Sequence, residues 1–354
     1  MTPVPGRTAE TRQAESPETV PHVPDRASDD TRAFESVWPR RFDAAEVTAL
    51  LGMEADQLVG DVLAAGVNAP LWNLADRGGK RWRPAVSRLA FLVSGGMEPV
   101  PAKICQVVEL LHTGSLVVDD IQDGATERRS GPAAHVLHGV PTALNAANAA
   151  YFRALAILRR CLADGPRLRA LDMLAEELFV AHLGQALDLA LCARPSRIRL
   201  RTAHYFVLAR AKTGALFRMA ARLGAIAADG ATACEEALGT WASEIGVAYQ
   251  IANDLDDLTG GLQDVVTRRP SYPLLLALED DGPAAHALRA RADEGTMTRP
   301  QAAELRRLFA RERIAERGRA AARLAGRRAL AALDALPASA ARAELERVTH
   351  GLMP

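Results

Sequence analysis

The chain has 354 residues, of which 49% are hydrophobic, so it can bury a large core and could by length form two domains. Its 43 basic and 43 acidic residues balance, which argues against nucleic acid as a partner. Because no apolar run could span a bilayer and the N-terminus lacks the apolar core of a secretory signal, we expect a cytoplasmic protein without stable membrane insertion.

Residues 1–35 are predicted to be a disordered N-terminal tail. They hold five prolines and many polar residues, and cannot bury enough surface to offset the entropy of ordering. Residues 36–354 are predicted to form a single helical domain. Its first helix starts at a capping box from Asp43 to Glu46, and an apolar stripe runs from Val47 to Leu63.

A basic turn precedes the next helix, which is predicted from Arg83 to Ser94. Gly78 and Gly79 would let the backbone pass close to a ligand, and Lys80 and Arg83 add positive charge near a helix start. A solvated surface turn would have the same composition. The residues alone therefore leave an anion site and a surface turn equally open.

The helix predicted over residues 102–123 has an apolar stripe, and acidic residues follow that stripe at its C-terminal end. Asp119 and Asp123 lie one turn apart, where like charges repel, so we expect the helix to use them. With Asp120 they suit Mg²⁺, which binds one or two carboxylates together with substrate phosphates. The pair Arg128–Arg129 suits the same phosphates. This stretch predicts a metal-assisted reaction on a diphosphate ester, and solvated carboxylates are the alternative.

Beyond a loop at residues 124–140, helices are predicted over 143–161, 171–191 and 198–223. Gln185, Asp188 and Lys212 are polar positions within these apolar segments. They either bond one another structurally or line a polar cleft. Because a buried lysine without an anion is costly, Lys212 favours the cleft.

A second acidic cluster lies on a helix predicted over residues 235–258, where Asn253 and Asp257 are one turn apart. The chain is helical again from Ser271. Its arginine-rich C-terminal part is predicted to be a solvated amphipathic face. Cys105 and Cys161 fall in apolar helical runs and are predicted to be small core residues. No segment alternates like a strand, so the fold class is all-α.

These motifs resemble the trans-isoprenyl diphosphate synthases, the polyprenyl synthetase family, over about residues 40–350. Asp119-Asp120-Ile121-Gln122-Asp123, followed by Arg128-Arg129-Ser130-Gly131, resembles the first aspartate-rich motif. Asn253-Asp254-Leu255-Asp256-Asp257 resembles the second. Three further stretches resemble family motifs in the expected order: Gly78-Gly79-Lys80-Arg81-Trp82-Arg83-Pro84, Gly184-Gln185-Ala186-Leu187-Asp188-Leu189 and Lys212-Thr213.

The resemblance implies a bundle of about a dozen helices whose two acidic clusters face each other across a central cavity. It also implies a prenyltransferase that uses three Mg²⁺ ions to condense isopentenyl diphosphate with an allylic prenyl diphosphate. A homodimer that binds no nucleic acid is expected.

The resemblance also assigns roles to residues. The implied metal ligands are Asp119, Asp120, Asp123, Asn253, Asp254 and Asp257. The implied contacts to the allylic diphosphate are Arg128, Lys212, Thr213, Gln250 and Arg269. The implied contacts to isopentenyl diphosphate are Lys80, Arg83, His112 and Arg129. The implied cavity and chain-length residues are Gly114, Ser115, Tyr151, Phe152 and Gln185. Direct catalytic roles fall to Asp119, Asp123, Lys212 and Asp254.

Product length is expected to depend on residues about one turn before Asp119. Family members limited to short products often carry aromatic residues there, whereas this chain has Gly114 and Ser115. Tyr151 and Phe152 are predicted to form a deeper floor. We therefore expect geranylgeranyl diphosphate as the product, and a Gly114→Phe substitution to shorten it.

The chain departs from the family at Asn253, where most members have aspartate, and in a short loop from Leu258 to Arg269. An amide oxygen binds Mg²⁺ weakly and without charge. Two alternatives to a chain-elongating synthase therefore stay open. One is a class I terpene cyclase of the same fold, and the other is a non-catalytic regulatory subunit of a synthase.

Overall fold

The computed structural model describes residues 27–193, 201–260, 262, 264, 269–290 and 298–354. Within them the chain is almost entirely helical, as the sequence predicted. One antiparallel pair of two-residue strands interrupts the helices, with Glu127 opposite Pro132 and Arg128 opposite Gly131. None of the described helices combines the length and the apolar character needed to cross a membrane.

The first half of the chain contains these elements: α1 (Ala27–Glu35), α2 (Ala44–Leu51), α3 (Gln57–Leu63), α4 (Ala69–Ala75), α5 (Trp82–Val93), α6 (Ala102–Asp123), β1 (Glu127–Arg128), β2 (Gly131–Pro132), α7 (Ala134–His138), α8 (Val140–Cys161) and α9 (Asp164–Ala193). The second half contains α10 (Thr202–Ala209), α11 (Ala215–Ala227), α12 (Thr232–Thr259), α13 (Tyr272–Asp280), α14 (Pro283–Ala290), α15 (Arg299–Arg311), α16 (Ile314–Leu333) and α17 (Ala340–Leu352). Two π-helical turns, Ala64–Asn68 and Arg210–Gly214, join α3 to α4 and α10 to α11.

The bundle is organised around α11. This helix packs against α5, α6, α9 and α12, and α16 covers the outer side of α12. Its side chains Phe217, Met219 and Leu223 are fully buried. A helix that is apolar on most of its circumference is stable only in such a surrounded position. The centre of α11 therefore fixes the helices that carry the two acidic clusters.

The π-helical turn Arg210–Gly214 is held between α9 and α12 by glycines on both sides. A Cβ atom at Gly184 would lie 2.6 Å from the backbone nitrogen of Lys212. A Cβ atom at Gly246 would lie 2.7 Å from the Cα atom of Gly214. Only glycine allows α9 and α12 to approach this closely. Such π-helical turns are frequent at functional sites, and this one carries Lys212 and Thr213.

Most predicted helix positions are confirmed, and α6 has the predicted limits. Its start follows Pro101, and it ends at Gly124, which has the left-handed backbone (φ 64°) that glycine adopts readily. Asp43 caps α2 as expected, since its side chain accepts hydrogen bonds from the backbone of Ala45 and Glu46. Glu46 does not complete a capping box but pairs with Arg153 of α8.

In the first third of the chain one prediction is wrong, and one segment that is helical as predicted is more exposed than its apolar residues suggest. Residues 1–26 of the predicted tail lie outside the described residues, but residues 27–35 form α1, whose Phe34 is fully buried against Trp72. The apolar stripe of α2 and α3 is mostly exposed; its Leu50 is 66% exposed and its Leu58 67% exposed. These side chains are exposed because α2 and α3 lie at the outside of the bundle and pack on it through few residues.

Two further differences concern the middle of the chain. The predicted loop at residues 124–140 contains the β1–β2 hairpin and α7, and the single helix predicted over 198–223 is divided by the π-helical turn. Cys105 is buried as predicted, whereas Cys161 is exposed at the end of α8. Its position at the last helical residue lets it turn away from the core.

Candidate active site

The first acidic cluster lies at the C-terminal end of α6, against Arg128 of β1. Arg128 donates from Nε to Asp120 Oδ1 at 2.7 Å and from Nη2 to Asp119 Oδ2 at 3.4 Å. Asp120 is only 1% exposed, and this burial raises its pKa although Arg128 opposes the shift. Arg128 therefore anchors Asp120 inward. Asp123, one turn beyond Asp119, pairs instead with Arg269.

Lys212 reaches this cluster from the π-helical turn. Its Nζ lies 3.1 Å from Asp119 Oδ1 and 2.5 Å from Asp188 Oδ2. Burial opposes the charge of Lys212, but the two carboxylates outweigh it and raise its pKa. Burial likewise opposes ionisation of Asp119, and Lys212, Arg128 and Arg269 outweigh it, so its pKa is lowered. Both groups are charged at neutral pH. Because Lys212 pairs with Asp188 and Asp119 of its own chain, its polar neighbours do bond one another, and a role in a cleft stays a prediction.

The second acidic cluster lies near the C-terminal end of α12. Asp254 is 5% exposed and accepts three hydrogen bonds: from the Tyr205 hydroxyl at 2.6 Å, from the backbone nitrogen of Tyr272 at 2.9 Å and from Gln250 Nε2 at 2.8 Å. Burial is the main cause that raises the pKa of Asp254 to about 6, against these three donors. Asp254 therefore ties α12 to α10 and to the start of α13.

The two clusters are joined through consecutive residues. Lys212 contacts Asp119, and its neighbour Thr213 donates to Gln250 Oε1 at 2.6 Å. Gln250 in turn donates to Asp254. The first and second acidic motifs thus lie on opposite sides of one π-helical turn. Gln185 of α9 adds a contact to Asp119 Oδ1 at 3.0 Å on the first side.

Chemically, the clusters fit a hard divalent cation because every polar side chain offered by the acidic motifs binds through oxygen. Asp120 and Asp254, the second residue of each motif, are occupied by Arg128 and by Tyr205, Tyr272 and Gln250. Their predicted ligand role is thus the least supported. Asp119 and Asp123 on one side, and Asn253 and Asp257 on the other, are only partly buried or exposed. Within the described residues no three acidic, histidine or cysteine side chains already form a compact metal cage.

Asp264 is an acidic residue that the sequence analysis missed. Its backbone nitrogen donates to Asp257 Oδ2 at 3.1 Å, beside the second cluster. Burial and the nearby Asp254 and Asp257 raise its pKa to about 7, and Arg269 opposes this shift. Its position seven residues after Asp257, between the second acidic motif and Arg269, is the only signal that could have indicated it.

A separate cationic group surrounds His112 of α6. Burial, together with the charges of Arg83, Arg129, Arg128 and Arg81, lowers the pKa of His112 well below its usual value, so the imidazole is neutral. The guanidinium of Arg83 lies 5.2 Å from the centre of the Phe217 ring, and burial lowers its pKa. Within the described part of the chain, neither Arg83 Nε nor His112 Nδ1 has a hydrogen-bond partner.

Two of the predicted diphosphate contacts stand at the edges of this group. Lys80 is exposed, with its Nζ 5.3 Å from the centre of the Tyr249 ring on α12. Arg129 donates to the carbonyl oxygens of Leu74, at 3.2 Å, and of Gly78. Arg81, to which no role was assigned, lies 3.4 Å from Glu109 and donates to Ala75.

The chain-length predictions fare differently from one another. Gly114 is buried against α8, where an added Cβ would lie 3.0 Å from the Ala147 carbonyl oxygen. A phenylalanine there would push two helices apart before it reached any cavity. Tyr151 is half-buried beside His182, but Phe152 is 71% exposed and cannot form a floor within its own chain. Neighbouring residues on a helix point about 100° apart, which explains this split.

Comparisons with known proteins identify the family of the chain. The polyprenyl synthetase family profile matches residues 65–307. A geranylgeranyl pyrophosphate synthase of Eremothecium gossypii is 31% identical over 59% of this chain and 68% of its own. A geranylfarnesyl diphosphate synthase of Aeropyrum pernix is 34% identical over 56% of this chain and 63% of its own. The chain therefore spans about two thirds of these relatives.

Solved structures extend the likeness over almost the whole chain. A geranylgeranyl pyrophosphate synthetase of Geoglobus acetivorans has a TM-score of 0.77 at 22% identity, covering 93% of this chain and 98% of that one. A polyprenyl synthase of Caulobacter crescentus, complexed with calcium and isoprenyl diphosphate, has a TM-score of 0.73 at 26% identity, covering 91% and 97%.

The fold and the site define an all-α protein in which two acidic clusters are paired with fixed cations and with hydrogen-bond donors. The chain belongs to the polyprenyl synthetase family, the trans-isoprenyl diphosphate synthases, which are prenyltransferases.

Proposed function

We propose that this protein is a Mg²⁺-dependent chain-elongating synthase that condenses isopentenyl diphosphate with an allylic prenyl diphosphate and releases geranylgeranyl diphosphate. The observation that carries the proposal is the contact path from Asp119 through Lys212, Thr213 and Gln250 to Asp254. Arg128, Lys212 and Arg269 provide one group of cations at the clusters, and a second cationic group lies around His112 and Arg83. Two such groups suit two diphosphate substrates.

In the proposed reaction, the carbon–oxygen bond of the allylic diphosphate breaks, and its electron pair leaves with pyrophosphate. Bound Mg²⁺ would supply positive charge to that leaving group. Arg128, Lys212 and Arg269 would add fixed charge from the protein where negative charge develops. Each of them pairs with a carboxylate in the cluster, so their positions are set before substrate binds.

The second substrate would bind with its diphosphate at Lys80, Arg83, His112 and Arg129. Arg83 Nε and His112 Nδ1 are buried donors or acceptors without a partner in the described chain, and a diphosphate would satisfy such atoms. The double bond of isopentenyl diphosphate then attacks the allylic carbon. Loss of one proton to the released pyrophosphate restores a double bond, which completes one elongation.

Geranylgeranyl diphosphate is the proposed product because two similar proteins carry that name or the next longer one. The small residue Ser115 is the remaining support from the site.

The exposed position of Phe152 on α8 supports a homodimer. In such a dimer the exposed apolar side chains of α8 and α9 would be covered by a second copy. Those side chains are Leu144, Phe152, Phe179, Leu183 and Leu187. The cytoplasm remains the expected location.

One assay tests this function against its two alternatives. The purified protein is incubated with Mg²⁺ and geranyl, farnesyl or geranylgeranyl diphosphate, with and without isopentenyl diphosphate, and the products are separated chromatographically. Longer prenyl diphosphates, absent when the metal is chelated, are expected. Hydrocarbons or alcohols formed without isopentenyl diphosphate would instead identify a terpene cyclase, for which Asn253 is the supporting residue. No product with any substrate would favour a regulatory subunit.

A further inference from the structure

Two arginine side chains cross between the turn that follows α4 and the β1–β2 hairpin. Arg129 reaches from the hairpin to the carbonyl oxygens of Leu74 and Gly78. In the opposite direction, Arg77 Nη1 donates to the carbonyl oxygen of Arg128 at 2.9 Å and to that of Pro132 at 2.8 Å. The hairpin, which carries Arg128 of one proposed diphosphate site and Arg129 of the other, is therefore fastened to this turn from both sides.

The hairpin needs such a restraint because its backbone is strained. Arg128 pairs with Gly131, so the loop consists of Arg129 and Ser130, whose φ angles are 52° and 58°. A two-residue hairpin loop with both residues in the left-handed region normally contains asparagine or glycine. L-residues with side chains occupy this region only where their surroundings hold them there.

The space around Arg77 is also specific. A Cβ atom at Gly131 would lie 2.6 Å from Arg77 Cζ, so a side chain there would displace the guanidinium from the hairpin backbone. Arg77 thus reaches the two carbonyl groups that flank the strained loop. These are the carbonyl groups of the residue before it and of the residue that follows Gly131.

We propose that Arg77 is a positioning residue for diphosphate binding, which fixes the hairpin so that Arg128 meets Asp119 and Asp120 while Arg129 stays beside Arg83 and His112. This inference rests on the proposed function. Arg77 itself touches neither acidic cluster, so it acts through the other arginines. Its loss should weaken binding of isopentenyl diphosphate more than it slows turnover at saturating substrate.

The test compares Arg77→Ala and Arg77→Lys with Arg88→Ala. The control removes an exposed arginine of α5 that pairs with Glu98. Isopentenyl diphosphate alone is titrated calorimetrically, and KM and kcat are measured separately. Arg77→Ala should raise Kd and the KM for isopentenyl diphosphate about tenfold, with a smaller change in kcat, because two hydrogen bonds are lost. Arg77→Lys should recover part of the loss, since one nitrogen makes both bonds. Arg88→Ala should match wild type.

Equal Kd values for wild type and Arg77→Ala would overturn the inference, as would equal losses in Arg77→Ala and Arg88→Ala. A wild-type protein that binds no isopentenyl diphosphate would count against the proposed function instead. Hydrogen exchange at residues 127–133 then decides on Arg77 independently of any substrate. Faster exchange in Arg77→Ala than in Arg88→Ala supports the inference, and unchanged exchange overturns it.

Discussion

Tyr205 donates its hydroxyl to Asp254 from the buried side of the second cluster. Burial and the nearby Asp254 raise the pKa of Tyr205 well above its usual value, so the phenol remains a donor at every physiological pH. Tyr272 also contacts Asp254, but through its backbone nitrogen. The two tyrosines therefore form a natural comparison, because only one of them loses its contact when the hydroxyl is removed.

We expect Tyr205→Phe to destabilise the protein by about 1–3 kcal/mol, since it leaves one oxygen of a buried carboxylate with one donor fewer. Activity should fall as well, because Asp254 aligns the second cluster through Gln250. Tyr272→Phe keeps the backbone bond and should change stability by less. Urea denaturation of both variants checks this. A larger loss in Tyr272→Phe would contradict the assigned role of Tyr205.

Asp254 and Asp264 should make stability depend on pH. Their pKa values are raised to about 6 and about 7, above the value near 4 that both have in an unfolded chain. The folded state therefore holds these protons more tightly, and its advantage is complete below about pH 4 and is lost as pH rises through 6 and 7.

These two groups should accordingly contribute a decrease in the free energy of unfolding of the metal-free protein between about pH 4 and pH 7, by at most about 1.4 kcal/mol per pH unit for each group. His112, whose pKa is lowered in the folded state, contributes an increase over the lower part of the same window. Urea denaturation in the presence of a chelator measures this slope. Asp264→Asn should flatten its upper part, whereas Asp172→Asn, at an exposed position of α9, should leave it unchanged. A slope above pH 6 that is the same in wild type and in Asp264→Asn would refute the assignment.

At the scale of elements, the contact of α9 with the π-helical turn decides the position of Lys212. We expect Gly184→Ala to destabilise the fold by about 1–3 kcal/mol and to lower kcat/KM, because its methyl group would meet the Lys212 backbone. Gly165→Ala, on the same helix but facing open space, should be neutral or stabilising by up to about 1 kcal/mol. Thermal unfolding and steady-state kinetics compare them; equal effects would contradict the close approach.

The limits of α6 could be predicted from the sequence, and so could the need of Lys212 for a neighbouring anion. Pro101 and Gly124 are local signals, and the cost of an unpaired buried lysine requires an anion wherever the helix lies. The outward position of Phe152 and the packing of Gly114 could not. Periodicity shows which residues share a helix face, but which neighbour covers that face depends on the whole bundle.

The same limit explains the residues that the sequence did not indicate. Arg77 donates to backbone carbonyl groups of a hairpin about fifty residues away. Every residue has such a carbonyl group, so the sequence cannot indicate which ones Arg77 contacts. Phe34 sits in a polar segment, so one aromatic residue could not outweigh the composition around it. Its burial depends on Trp72, which only the fold brings near.

At the scale of the molecule, the exposed apolar ridge on α8 and α9 predicts self-association. Phe179, Leu183 and Leu187 recur at helical spacing and are 65%, 48% and 43% exposed. Leu183→Asp should convert a dimer into monomers, as measured by sedimentation velocity. Met97→Asp, at an equally apolar but separate exposed site, should leave the dimer intact. A wild-type protein that sediments as a monomer would remove the homodimer proposal.

The π-helical turn has one more consequence. Lys212 and Thr213 are bonded to each other directly, so the width of the gap between the acidic motifs is set by a single peptide unit rather than by packing alone. Deleting one residue from Arg210–Gly214 would restore a regular α-helix and rotate one of the two side chains by about 100°. The alignment of the two acidic motifs thus depends on the backbone of this turn as well as on the helices packed around it.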